Sequence, residues 1–218
     1  MKLVFFDFDG VILNSMPIKT EAFGELFAHY GEEVRRQVVE YHVANGGVSR
    51  YEKFRYYYRE ILCEEVSEEH LSELGVRFTE LTMDMILSAD FIPGAEAVLA
   101  DLKEKGIPAV VASGAPQSDL DQVIANRGLG DCFVEAHGSP KAKADTVREV
   151  CDRFGIEADR CVFVGDAMND FNAALSLPMP FLGVESPDVR FPDGTLVVSE
   201  LSASALYDAE KVFHERKE

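Results

Sequence analysis

Strand and helix patterns alternate from Phe91 to the end of the chain, and this alternation limits the fold more than any other feature. Short apolar runs occur at Ala109–Ala112, Cys132–Val134, Cys161–Val164, Phe181–Val184 and 195–198. Helical patterns separate them, at 94–105, 117–127, 143–154, after Asn169 and from about 200. Such a rhythm builds right-handed βαβ units and therefore a parallel sheet. One more strand-like run, Leu3-Val4-Phe5-Phe6, opens the chain, but no strand follows it for a long stretch. Ser15 with Pro17 behind it reads as a capped helix start. Helical spacing then continues through 32–44, 49–62 and 67–87, with Asn45-Gly46-Gly47 as a stop. The predicted fold is α/β: a Rossmann-like, doubly wound parallel sheet core with an inserted α-helical cap. The core takes residues 1–14 and 90–218, and the cap takes 15–89.

The ends of the first four strands carry the chemistry. Open α/β sheets bind ligands outside the carboxyl ends of their strands. After the first strand come Asp7, Asp9 and Gly10. After the second come Ser113 and Gly114, after the third Lys141 and Lys143, and after the fourth Gly165, Asp166 and Asp170. Two strand-end carboxylates can hold a divalent cation, and one of them can attack phosphorus. Each element also has a plainer reading. Asp caps turns, Ser113 can be a helix N-cap, and Asp170 can be a first-turn acid opposite the helix dipole. Either lysine alone can be solvated surface.

Taken together and in this order, the DxDGV, apolar-run-plus-Ser, Lys and GDxxxD elements resemble the haloacid dehalogenase superfamily over nearly the whole chain. The resemblance implies an enzyme, a phosphoric monoester hydrolase. Asp7 would be the nucleophile and carry an aspartyl-phosphate. Asp9 would protonate the leaving oxygen and then take a proton from water. Mg²⁺ would be held by the Asp7 carboxylate, the Asp9 main-chain carbonyl and Asp166, with Asp170 behind them. Ser113 and the N–H of Gly114 would hold phosphoryl oxygens at a helix N-terminus. Lys143 is favoured as the phosphate lysine, with Lys141 the competitor under a KPxPD-like alignment.

In the cap, Gly47-Val48-Ser49-Arg50 resembles the cap loop of β-phosphoglucomutase-like members. That makes Arg50 a candidate for a second anionic group of the substrate. Lys53, Arg55 and Arg59 add local positive charge among aromatics; Phe54, Tyr57 and Tyr58 read as core of the helical unit. Lys19, a candidate substrate contact, stands where mutase members carry a histidine. This departure favours hydrolysis over mutase action. Asp9 argues against phosphonatases, and the DxDG pattern against dehalogenases. The expected activity is Mg²⁺-dependent hydrolysis of a small phosphomonoester, a sugar phosphate or related metabolite. The alternatives are a hexose-phosphate mutase and a non-catalytic module that binds a phosphorylated ligand.

Bulk properties agree. A net charge of −18 over 218 residues argues against binding nucleic acid or anionic lipid. The histidines show no zinc spacing, and Cys63, Cys132, Cys151 and Cys161 form no CxxC pair. They read as reduced core thiols of a cytoplasmic protein. The expected partner is a small phosphorylated metabolite, with the chain a monomer or homodimer.

Overall fold

The structure is a computed structural model and describes residues 1–216. Its sheet contains β1 (Leu3–Phe6), β2 (Ala109–Pro116), β3 (Glu135–Ser139), β4 (Cys161–Gly165), β5 (Phe181–Val184) and β6 (Leu196–Val198). They lie in the order β3-β2-β1-β4-β5-β6, and every neighbouring pair is parallel. The first strand is thus central: Phe5 lies beside Val110 on one side and Phe163 on the other. The chain order reverses between β1 and β4, which opens a crevice beyond their carboxyl ends.

Both sheet faces are covered, which is why β1 reads as unbroken apolar text. Val4 and Phe6 face a core shared with α5 (Ala95–Glu104), α6 (Gln117–Asn126) and α9 (Ala203–Glu215). Leu3 and Phe5 face the opposite core, closed by α7 (Lys143–Phe154) and α8 (Met168–Ser176). Between β1 and α5 lie α1 (Met16–Phe27), α2 (Glu32–Ala44), α3 (Arg50–Tyr56), a π-helical turn at Tyr57–Leu62, and α4 (Glu68–Leu87). They share a third, aromatic cluster built on Phe23, Phe27, Phe54, Tyr57 and Phe78. Helix α4 serves two clusters, since Met83 and Ile86 in its last turns pack into the sheet core.

Three local expectations change. The third strand is not 132–134: Gly130–Cys132 form a 3₁₀ turn and the strand runs Glu135–Ser139. Phe133 is buried beneath the sheet against Phe6, whereas β3 is an edge strand whose Glu135 pairs with His137 and Arg153. The apolar text marked the core contact, and the polar edge hid the strand. Ser15 occupies the N-cap position of α1 but makes no cap hydrogen bond; its hydroxyl donates to Asp9 instead. Cys63 is exposed and Cys132 half-buried, so only Cys151 and Cys161 are core thiols.

Candidate active site

The crevice between β1 and β4 gathers buried acids around one ammonium. Asp7 leaves β1 directly, its N–H donating to Val164 O at 2.9 Å. Its Oδ1 accepts from Phe8 N at 2.7 Å, and its Oδ2 lies 2.8 Å from Lys143 Nζ. The same ammonium donates to Asp170 Oδ1 at 2.6 Å. Asp170, in the first turn of α8, accepts from Ala167 N with Oδ2, so both its oxygens are engaged. One carboxylate oxygen each of Asp7, Asp166 and Asp170 lie within 4.8 Å of one another. Gly10 makes room for this: it has φ +76°, and a Cβ there would collide with the Asp166 carboxylate.

The charges do not balance. Lys143 meets three buried acids, so the cluster keeps an excess of negative charge. Burial pushes the Asp7 carboxyl up to about 7; Lys143 counters this, and Asp170 and Asp9 add repulsion. Burial, then repulsion by Asp7 and Asp170, raises Asp166 well above the usual carboxylate range. Burial opposes the Lys143 charge as well, but Asp170 and Asp7 outweigh it and hold its pKa up. Hard oxygen donors with surplus negative charge fit a divalent cation such as Mg²⁺. The residues that would hold it are Asp7 and Asp166, with Asp170 fixing Lys143 beside them.

Asp9 stands apart from that cluster. Ser15 Oγ donates to its Oδ1 at 2.6 Å and Lys19 Nζ to its Oδ2 at 2.5 Å. Its side chain is therefore not placed for the cation, which leaves only its main-chain carbonyl for that task. Burial works against the Asp9 charge, but the attraction and hydrogen bond of Lys19 and the hydrogen bond of Ser15 prevail, and its pKa is lowered.

The cap lies directly on this site. A Cβ on Gly114 would collide with Gly47 O, and Asn169 Nδ2 donates to the same Gly47 O at 3.0 Å. Beneath the loop is a small cavity of about 40 Å³. Asp7, Asp9 and Gly114 belong to its core side; Lys19, Phe23, His42, Arg50 and Lys53 belong to its cap side.

Among the candidates, Asp7, Asp166, Asp170 and Lys143 come together, and Asp9, Lys19, Gly114 and Arg50 share the adjoining cavity. The structure places three candidates in surroundings that differ from the sequence expectation. Lys141 is turned away and pairs with Glu149. Ser113 is buried but not at a helix N-terminus, because β2 continues to Pro116 and α6 begins at Gln117; its Oγ accepts from Ala115 N at 3.1 Å. Arg50 already has partners within the protein. Its guanidinium donates to Asp119 Oδ2 at 2.5 Å, Thr79 Oγ1 at 2.7 Å and Gly75 O at 3.1 Å. It also stacks over Phe78.

Two residues of the cavity wall, Lys53 and His42, do not stand out in the sequence, where Lys53 is one of several basic residues of the cap. Lys53 Nζ lies 2.8 Å from His42 Nδ1, and both are buried. A signal existed: Arg50, Lys53, Phe54 and Tyr57 fall at i, i+3, i+4 and i+7, one helical face. A lysine on an apolar stripe is there for a reason other than solubility.

Comparison with known proteins gives a consistent picture. Residues 1–177 match the family of haloacid dehalogenase-like hydrolases. The phosphoglycolate phosphatase of Rhodospirillum rubrum is 25% identical over 218 residues, covering 95% of this chain and 87% of that protein. Among solved structures, the β-phosphoglucomutase of Clostridium difficile superposes with a TM-score of 0.80, covering 99% of this chain and 100% of the other at 20% identity. CbbY from Rhodobacter sphaeroides, solved with phosphate, superposes with a TM-score of 0.73 at 17% identity, covering 95% of this chain and 99% of the other. The solved structures share the fold: an α/β sheet with a helical insertion.

Proposed function

The chain belongs to the haloacid dehalogenase-like hydrolase family, and on that premise we propose that it is a Mg²⁺-dependent phosphatase for small phosphomonoesters, phosphoglycolate among them. The observation that carries this reading is Asp7, buried at the end of β1 with Lys143 2.8 Å from its carboxylate. A nucleophile that must approach a dianionic phosphoryl group needs neighbouring positive charge to offset their repulsion. Lys143 supplies one such charge. A bound Mg²⁺ would supply the rest by neutralising phosphoryl oxygens.

In the first half of the reaction, an Asp7 oxygen forms a bond to phosphorus and the bond to the leaving oxygen breaks. The acid form of Asp9 gives that oxygen its proton. In the second half, water attacks phosphorus, Asp9 takes the water proton, and the Asp7–phosphorus bond breaks to release phosphate. Lys19 favours the ionised form of Asp9, the form the second half requires. The roof formed by Gly47 on Gly114 favours a compact substrate and keeps competing water from the phosphoryl group.

The relatedness to phosphoglycolate phosphatases supports the choice of substrate. The mutase alternative is less well served. Lys19, which pairs with Asp9, stands where mutase members carry a histidine.

The test is phosphate release from phosphoglycolate and from a generic aryl phosphate with Mg²⁺, in wild type and Asp7→Asn. Turnover should fall by at least about 10³-fold in the variant. Near-normal turnover there, or none in the wild type, would overturn the proposal.

A further inference from the structure

Four lysine and arginine side chains surround the proposed phosphoryl site and its cavity, and three of them are neutralised within the protein. Lys143 is matched by Asp7 and Asp170, Lys19 by Asp9, and Arg50 by Asp119. Lys53 is the exception. It is 2% exposed, and among the described residues its ammonium forms no ion pair. Its hydrogen-bond partners are His42 Nδ1 at 2.8 Å and His42 O at 3.3 Å, with the Phe23 ring 5.5 Å away. A buried ammonium normally finds a counter-charge, since removing it from water costs several kcal/mol.

His42 adds an independent observation. An ammonium can only donate, so with Lys53 charged the His42 Nδ1 accepts and the ring proton lies on Nε2, which is buried without a hydrogen-bond partner. Burial, then the Lys53 charge, holds the ring neutral with its pKa pushed down to about 2. Both residues line the cavity that Asp7 also lines. The cavity wall thus holds one ammonium without a counter-charge and one buried ring nitrogen without a partner.

We propose that Lys53, oriented by His42, selects phosphomonoesters whose leaving group carries a carboxylate. This rests on the phosphatase reading and deepens it. The phosphoryl group would sit at the Asp7 end and the carboxylate at the Lys53 end, each meeting its own ammonium. A carboxylate fits better than a second phosphate. One unpaired ammonium balances one negative charge, whereas a phosphate monoester carries about −1.5 to −2 at neutral pH. Arg50, the residue the sequence favoured for this task, is held by Asp119.

The experiment compares Lys53→Met with wild type on phosphoglycolate, ethyl phosphate and a sugar bisphosphate. The quantity read is the preference, kcat/KM for phosphoglycolate divided by that for ethyl phosphate. It should fall by about 30-fold or more, chiefly through KM, as expected for truncating one partner of a buried charge pair. His42→Leu should lose much of the preference. His42→Gln, which can still accept from Lys53, should keep it. Binding of phosphonopropionate against propylphosphonate, measured by calorimetry, reads the same discrimination without turnover. If the protein releases no phosphate yet loses this discrimination in Lys53→Met, the phosphatase reading falls and the Lys53 assignment stands. An unchanged preference would overturn the assignment. So would equal losses on both substrates with a lower Tm, which marks a structural lysine. A wild type that prefers the bisphosphate to phosphoglycolate would overturn the choice of a carboxylate.

Discussion

Replacing Asp119 with alanine should loosen the cap from the core and slow the enzyme on every substrate. Two cap groups converge on this one carboxylate: Arg50 Nη2 at 2.5 Å and Thr79 Oγ1 at 2.8 Å, both on Oδ2. Asp119 lies on α6 of the core, so both contacts cross between the two units. Hydrogen bonds to a charged group contribute about 1.5–3 kcal/mol each. The full sum is not expected, because the Asp119 side chain is 16% exposed and Arg50 keeps Thr79, Gly75 and the Phe78 face. About 2–3 kcal/mol is reasonable for the pair, which shifts the closing equilibrium by about 30- to 150-fold. Hydrogen exchange of the amides at 45–49 reads the opening directly, because Gly47 O rests on Gly114 only when the loop is down. Those amides should exchange faster in Asp119→Ala. The kcat/KM values for phosphoglycolate and an aryl phosphate should fall by similar factors, since closure serves both. Unchanged exchange and unchanged rates would refute the idea that this contact holds the cap. A loss confined to phosphoglycolate would return Arg50 to substrate recognition.

Lys143→Ala should remove most activity, by about 10²-fold or more for a lost group that stabilises the transferring phosphoryl charge, whereas Lys141→Ala should stay within a few-fold; steady-state kinetics on an aryl phosphate decides, and a reversed order would refute the assignment. Excess chelator should abolish turnover and lower Tm, and Ca²⁺ should fail to restore the rate because it takes more ligands at longer distance than Mg²⁺; full activity in chelator would contradict the proposed cation. The pH dependence of stability has a defined sign. Burial, then repulsion by Lys19, lowers Lys53 from 10.5 to about 7, so its contribution is complete above about pH 10.5 and is lost as pH falls toward 7. Lys53→Met should therefore raise Tm at pH 7, with the gain shrinking toward pH 10; thermal melts across that range would refute this if the gain were absent or grew with pH. His42 acts in the more acidic window, since its pKa is held far below 6.5: its contribution is lost as pH falls below about 6.5, and His42→Leu should make the wild-type decline shallower there.

The central strand, the inserted helical unit and the order of the site elements were legible in the text of the chain. They depend on local periodicity and on one topological fact: parallel strands bring all their carboxyl ends to one edge. Asp7, Asp166 and Asp170 therefore had to meet once β1 and β4 became neighbours, and Phe54 and Tyr57 had to be core once their helical face was read. The edge strand β3 was misplaced because an edge tolerates the polar residues Glu135 and His137, while the apolar run before it serves the core.

What the tertiary structure decided are the choices between like residues. Lys141 and Lys143 carry the same charge two residues apart, yet only Lys143 enters the first turn of α7 facing Asp7 and Asp170, while Lys141 reaches Glu149. Arg50 and Lys53 share one helical face, and the sequence preferred the arginine. Its counter-ion, Asp119, is distant in sequence and reaches Arg50 only when the cap rests on α6. Charge pairing across long sequence separation depends on packing, not on composition or spacing. The sequence therefore determined which chemistry the chain could hold, and the packing of cap on core decided which of its cations remain available for a substrate.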